Sequence, residues 1–165
     1  MLRSTFIALI LFVFSGITWA DDTLIKIDGM SISCEDPNQM PVSFSEKVFK
    51  NTDKHSDPIS SRYFPLFGYQ IGYNADFIKS MPPLLSAFSI YYECGLIALH
   101  VGKEQKNLKT MKQADCFAVK AMKKAGYLKS INQLQQALPQ LTNVKHNHGF
   151  NLARIMALKS CPTPK

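Results

Sequence analysis

Several devices by which a sequence commonly declares its chemistry are missing from this chain. It has no glycine-rich phosphate-binding loop, no internal repeat, no low-complexity tract and no two cysteines in a C-x-x-C spacing. The first absence removes phosphate cradling of the P-loop kind. The second removes repeat arrays, and the last removes a structural zinc site built on paired cysteines. Beyond the first twenty residues no segment reads as a membrane span of ~20 apolar residues.

What stands at the start is a secretory leader. In MLRSTFIALILFVFSGITWA, Arg3 is the one charge, Phe6 to Phe14 form an apolar run, and the small residues Thr18 and Ala20 precede Asp21-Asp22. The expected organisation is a signal peptide over 1–20 and a single exported domain over 21–165, periplasmic or extracellular, with one modest core. All four cysteines, Cys34, Cys94, Cys116 and Cys161, lie in the exported part. An even number in an oxidising compartment favours two disulfides, and spacing alone does not choose among the three pairings. The chain carries a formal net charge of +7, almost none of it from the leader. A charge of that size bears on partners, and anionic surfaces come first.

From Asp21 to about Tyr73, the pieces TLIKI, MSIS, VSFSEKVF and YFPLFGYQIGYN alternate with DG, EDPN and NTDKHSDPISS. Turn formers between β-branched and aromatic runs predict a small antiparallel sheet or hairpins, with 51–61 as a mobile surface loop. After Pro82-Pro83 the character changes. LLSAFSIYYECGLIALHV has only Glu93 and His100 as strongly polar members, which predicts a central, buried helix. NLKTMKQADCFAVKAMKKAG follows, with Gly126 as its C-terminal cap. At 100° per residue, Met111, Ala114, Ala118, Ala121, Met122 and Ala125 share one face, and Lys109, Lys112, Lys120 and Lys123 share the opposite one with Cys116. Two shorter helices are predicted in SINQLQQAL, opened by Ser130 and stopped by Pro139, and in GFNLARIMALKS. The fold class is α+β, a small N-terminal antiparallel β region packed on about four helices.

The ordered set YNADFIKSMPPLLSAFSIYYECGLIALH, QADCFAVKAMKKAG and HGFNLARIMALKSC resembles small secreted zinc-metallopeptidase-like proteins of the gluzincin type, over roughly Gly68 to Cys161. In that family an H-E-C-G-H-x-x-L-G-H helix precedes a helix with E-x-E-A-D-C and a terminal helix with an arginine and a cysteine. The resemblance implies a zincin-like core. It places the three metal-ligand positions at Tyr92, Leu96 and Met111, the general base at Glu93 and a supporting carboxylate at Asp115. H-E-x-x-H chemistry needs two imidazoles one helical turn apart on one Zn²⁺. Leucine has no donor atom, a phenol is a poor substitute, and a thioether is too soft for such a site. With all three ligands lost, the reading is a pseudo-peptidase without a cofactor, Glu93 and Asp115 being vestigial.

His100, about two turns beyond Tyr92, is too distant to stand in at Leu96 and reads as a solvent-facing or capping residue. His146 and His148 read as polar loop residues. Glu93 is expected to take a hydrogen bond from Tyr92, Arg154 or a backbone group, because an unpaired buried charge is costly. The former metal site is expected to be dry, with Leu96 and Met111 touching. Cys94, about 200° round the helix from Tyr92, points away from the vestigial metal face and toward the β region. The expected disulfides are therefore Cys34–Cys94 and Cys116–Cys161.

The remaining functional feature is the series Lys103, Lys106, Lys109, Lys112, Lys120, Lys123, Lys124 and Lys129, offset only by Glu104 and Asp115. It suggests a non-catalytic binding or effector-type protein whose patch, centred on Lys109, Lys112, Lys120, Lys123 and Lys124, meets an anionic membrane surface, a phosphorylated lipid or an acidic glycan. Nucleic acid suits it less, since few aromatics are interleaved with the lysines. The alternatives are a hydrolase rebuilt around Glu93 and a periplasmic structural or accessory protein.

Overall fold

The computed structural model describes residues 23–46, 57–101, 106–137 and 152–161. The expected leader, Lys103, Glu104, His146 and His148 lie outside them. Strands β1 (Ile25–Ile27) and β2 (Met30–Ile32) form an antiparallel hairpin, with Ile25 opposite Ile32. Its two-residue turn, Asp28-Gly29, has φ of 51° and 77°. That left-handed pair matches the strand twist and explains the DG signal. Ile25, Ile27 and Ile32 are buried, while Lys26 and Ser31 face water.

Three further strands, β3 (Ser43–Glu46), β4 (Ile59–Phe64) and β5 (Gly68–Tyr73), form a sheet in the order β3-β5-β4. The β4–β5 pair is an antiparallel hairpin, but β3 runs parallel to β5. The expected purely antiparallel sheet is thus corrected to a mixed one, because the hairpin folds its second strand back between β4 and β3. The expected loop over 51–61 falls outside the described residues as far as 56, and its end is corrected. Ile59 is fully buried and Ser61 is tied to the helical layer, so β4 begins inside it.

A short helix α1 (Ala75–Ser80), not anticipated from the pattern, is opened by Asn74, whose side chain accepts from the Phe77 amide at 2.8 Å. Pro82-Pro83 separate it from α2 (Pro83–Ala98), with Pro83 in the first turn, where its missing N–H costs nothing. Every residue of α2 from Leu85 to Ile97 is buried. The helix ends with His100 in the left-handed region at φ 52°, the His100 amide donating to Ile97 and the Val101 amide to Leu96. His100 is therefore an exposed C-terminal cap of the Schellman type.

Helix α3 (Leu108–Lys124) opens on a capping box between Asn107 and Thr110 and closes at Gly126, φ 80°. Its Ala114, Ala118 and Met122 are buried against the core. α2 and α3 meet at Gly95, where a Cβ would lie 2.9 Å from the Ala114 carbonyl oxygen. Helix α4 (Ile131–Ala137) buries Leu134, and α5 (Leu152–Ala157) continues into a 3-10 turn over Leu158–Ser160. Disulfides join Cys34 to Cys94 and Cys116 to Cys161. Both chain regions flanking the central helix pair are thereby tied to it. Among the described residues no helix is long and apolar enough to cross a membrane.

Candidate functional site

A carboxylate in the middle of a wholly buried helix needs donors, and those of Glu93 come from the sheet. Its Oε2 accepts from the backbone N–H of Ser61 at 2.9 Å and from the Ser61 hydroxyl at 2.8 Å. Lys106 Nζ lies 3.7 Å from the other oxygen, reaching in from the approach to α3. Glu93 has no exposure to solvent. Lys106, with a half-buried side chain, is therefore turned toward Glu93 and away from the external lysine series.

A second ion pair joins Arg154 of α5 to Asp115 of α3. The Arg154 Nε donates to both carboxylate oxygens, at 3.1 and 2.8 Å, and Nη2 donates to Oδ1. The guanidinium also lies over the Tyr92 ring, 4.4 Å from its centre. Burial works against the charged guanidinium, but the hydrogen bonds and charge of Asp115 outweigh it and hold Arg154 above its ordinary pKa. Burial pushes the Tyr92 phenol up to about 12 despite the pull of Arg154, with Glu93 and Asp115 adding to the rise. Two carboxylates, Glu93 and Asp115, are thus matched by two cations, Lys106 and Arg154, and their formal charges cancel.

The positions that the resemblance would make metal ligands do not fit a zinc ion. Leu96 is fully buried hydrocarbon and Met111 a half-buried thioether. Tyr92 keeps its proton to high pH, and the guanidinium on its ring sets a fixed positive charge beside any cation placed there. Among the described residues no three His, Cys, Asp or Glu side chains are grouped to hold a metal.

The lysines of α3 are outside. Lys109, Lys112, Lys120 and Lys124 are exposed and Lys123 is half-buried. Asp115, the nearest acid in sequence, is turned inward to Arg154 and does not offset them. The stripe is not continuous. Cys116 sits between Lys112 and Lys120, and its bond to Cys161 fastens the terminal 3-10 turn across the stripe. Two basic groups result, ~12 Å apart along the helix from the eight-residue interval. The same bond brings in exposed Lys159, two residues before Cys161, a cation that the helix periodicity did not include.

Ser61 and Lys106 were also invisible as a pair. The buried acid signals that donors must exist, but which donors is decided by how the sheet lies on α2. No family model, curated protein or solved structure matches the chain.

Proposed function

We propose that this chain is an exported, non-catalytic protein of zincin-like ancestry that attaches to an anionic surface through the lysines of α3. The observation that carries the reading is the arrangement of that helix. Ala114, Ala118 and Met122 anchor one face in the core while Lys109, Lys112, Lys120 and Lys124 stand in solvent on the other. Cations held on one rigid support engage a multivalent anion together, without each losing freedom anew on binding. The capping box and the Cys116–Cys161 bond brace the start and the middle of that support.

The enclosure of Glu93 and the pairing of Asp115 with Arg154 support the non-catalytic half of the reading. A general base must reach the proton that it abstracts, whereas Glu93 is enclosed and already accepts from Ser61. The two disulfides support an oxidising, non-cytoplasmic setting.

The test is cosedimentation with vesicles of acidic phospholipid, beside retention on a polyanionic glycan, across a salt series. Each lysine near an anionic surface contributes ~1 kcal/mol, and screening shortens from a Debye length of ~10 Å at 0.1 M salt. Binding should fall steeply with salt. Lys109→Glu, Lys112→Glu, Lys120→Glu and Lys124→Glu together should abolish it in a protein that keeps its circular dichroism. Salt-independent binding, or binding unchanged in the quadruple variant, refutes the proposal.

A further inference from the structure

The tip of the β4–β5 hairpin is an apolar prong. Tyr63, Phe64, Leu66 and Phe67 are 60%, 38%, 88% and 76% exposed, an unusual amount of aromatic and aliphatic surface for so short a stretch. The prong is also preformed. The Phe67 amide donates to the Phe64 carbonyl at 3.1 Å, closing a turn whose second residue is Pro65. Gly68, at φ 75°, returns the chain into β5. The rings of Tyr63 and Tyr69, opposite each other in the register, lie 5.0 Å apart and brace the base. No side chain in the run Tyr63–Phe67 is charged, and the residue before it, Arg62, is exposed.

The geometry points to insertion of this tip into the interfacial layer of an anionic bilayer, with Arg62 at the level of the lipid phosphates. The inference rests on the anionic-surface reading above and narrows its partner to lipid. Three observations favour a bilayer over another occupant. Two strand residues separate Arg62 from the turn by ~7 Å, which matches the ~5–10 Å depth to which apolar faces enter the headgroup boundary. Tyrosine and phenylalanine with a flanking arginine are the side chains that suit that boundary, an apolar body below and a polar or charged end above. The chain's +7 charge complements an acidic membrane. Four side chains on a turn are, moreover, far fewer than the ~20–30 residues a side of a stable protein interface.

The experiment places a reporter in the prong. Leu66→Trp in the full exported protein is titrated with vesicles of phosphatidylglycerol and phosphatidylcholine in equal parts, with and without brominated acyl chains. The unsubstituted protein is the control, its sequence having one tryptophan, Trp19, within the expected leader. Insertion predicts a blue shift of the reporter indole's emission, quenching by the brominated lipid, and binding about tenfold or more weaker in Leu66→Ser with Phe67→Ser, by the apolar area withdrawn. Both serine sites are exposed, so the double variant should keep its melting temperature. Vesicle binding that the quadruple lysine variant abolishes but the serine variant leaves intact, with unshifted emission from the reporter, overturns the insertion and leaves the lysine reading standing. Retention on polyanionic glycan without vesicle binding also overturns it. Binding to neither vesicles nor glycan overturns both.

Discussion

Arg154 holds one of the two carboxylates buried among the described residues. It is the partner observed for Asp115, which is nearly enclosed, and it covers the face of Tyr92. Arg154→Leu should therefore leave a carboxylate stranded in the interior, at a cost of ~3–5 kcal/mol in the urea unfolding free energy. Replacing Asp115 by leucine in the same chain should recover most of that loss, since a buried pair exchanged for packed hydrocarbon is often close to neutral. The tyrosines give a second test at this scale. Burial pushes Tyr92 and Tyr127 up to about 12 and raises Tyr91 as well. In the unfolded chain these phenols titrate near ~10. The folded state thus holds more protons between about pH 10 and 12, and the stability this contributes is complete below about pH 10 and lost as pH rises through the folded values. Phenolate absorbance should lag behind that of free tyrosine and then rise together with loss of helical circular dichroism. Ionisation of all the phenols near the free value without unfolding would show that these three are not enclosed.

At the scale of elements, the longer helices are legible in the sequence, while the short α1 and the sheet are less so. An eighteen-residue run with two strongly polar members has one physical solution, a helix surrounded by core, and α2 is that helix. The alanine face and lysine face of α3 follow from the same periodicity, and the helical wheel pointed to the observed cysteine pairing. The parallel pairing of β3 with β5 was hidden, because a β-rich segment shows which residues form strands but not which strands become neighbours across a connection. The start of β4 was hidden by its serines, which resemble loop residues until Glu93 is placed against Ser61. Two substitutions probe the joints between elements. Gly95→Ala would bring a methyl group to 2.9 Å from the Ala114 carbonyl oxygen, a backbone atom with little room to yield. Its expected cost is ~1–3 kcal/mol in denaturant unfolding. His100→Gly should do the reverse, adding ~1 kcal/mol by relieving a side chain held at positive φ. A loss of stability there would mean that the imidazole makes a contact worth more than the strain.

Taken whole, the molecule is two outer regions fastened to a central helix pair. The Cys34–Cys94 bond holds the β1–β2 side onto α2, and Cys116–Cys161 holds the terminal turn onto α3. Their sequence separations of 60 and 45 correspond to ~4 kcal/mol each in the chain-entropy account. Reduction by dithiothreitol should lower the thermal midpoint substantially. Cys116→Ser with Cys161→Ser should also weaken the Arg154–Asp115 pair, whose arginine lies a short way before the freed cysteine, so its effect should be less than additive with Arg154→Leu. Free thiols in peptide maps made without reductant would reject this architecture. The two bonds also bear on time. They are consecutive, first cysteine to second and third to fourth, and neither loop crosses the other. A chain entering an oxidising space from its N-terminus presents each cysteine's partner as the next thiol to arrive. For a chain exported as proposed, order of arrival favours this connectivity over both alternative pairings.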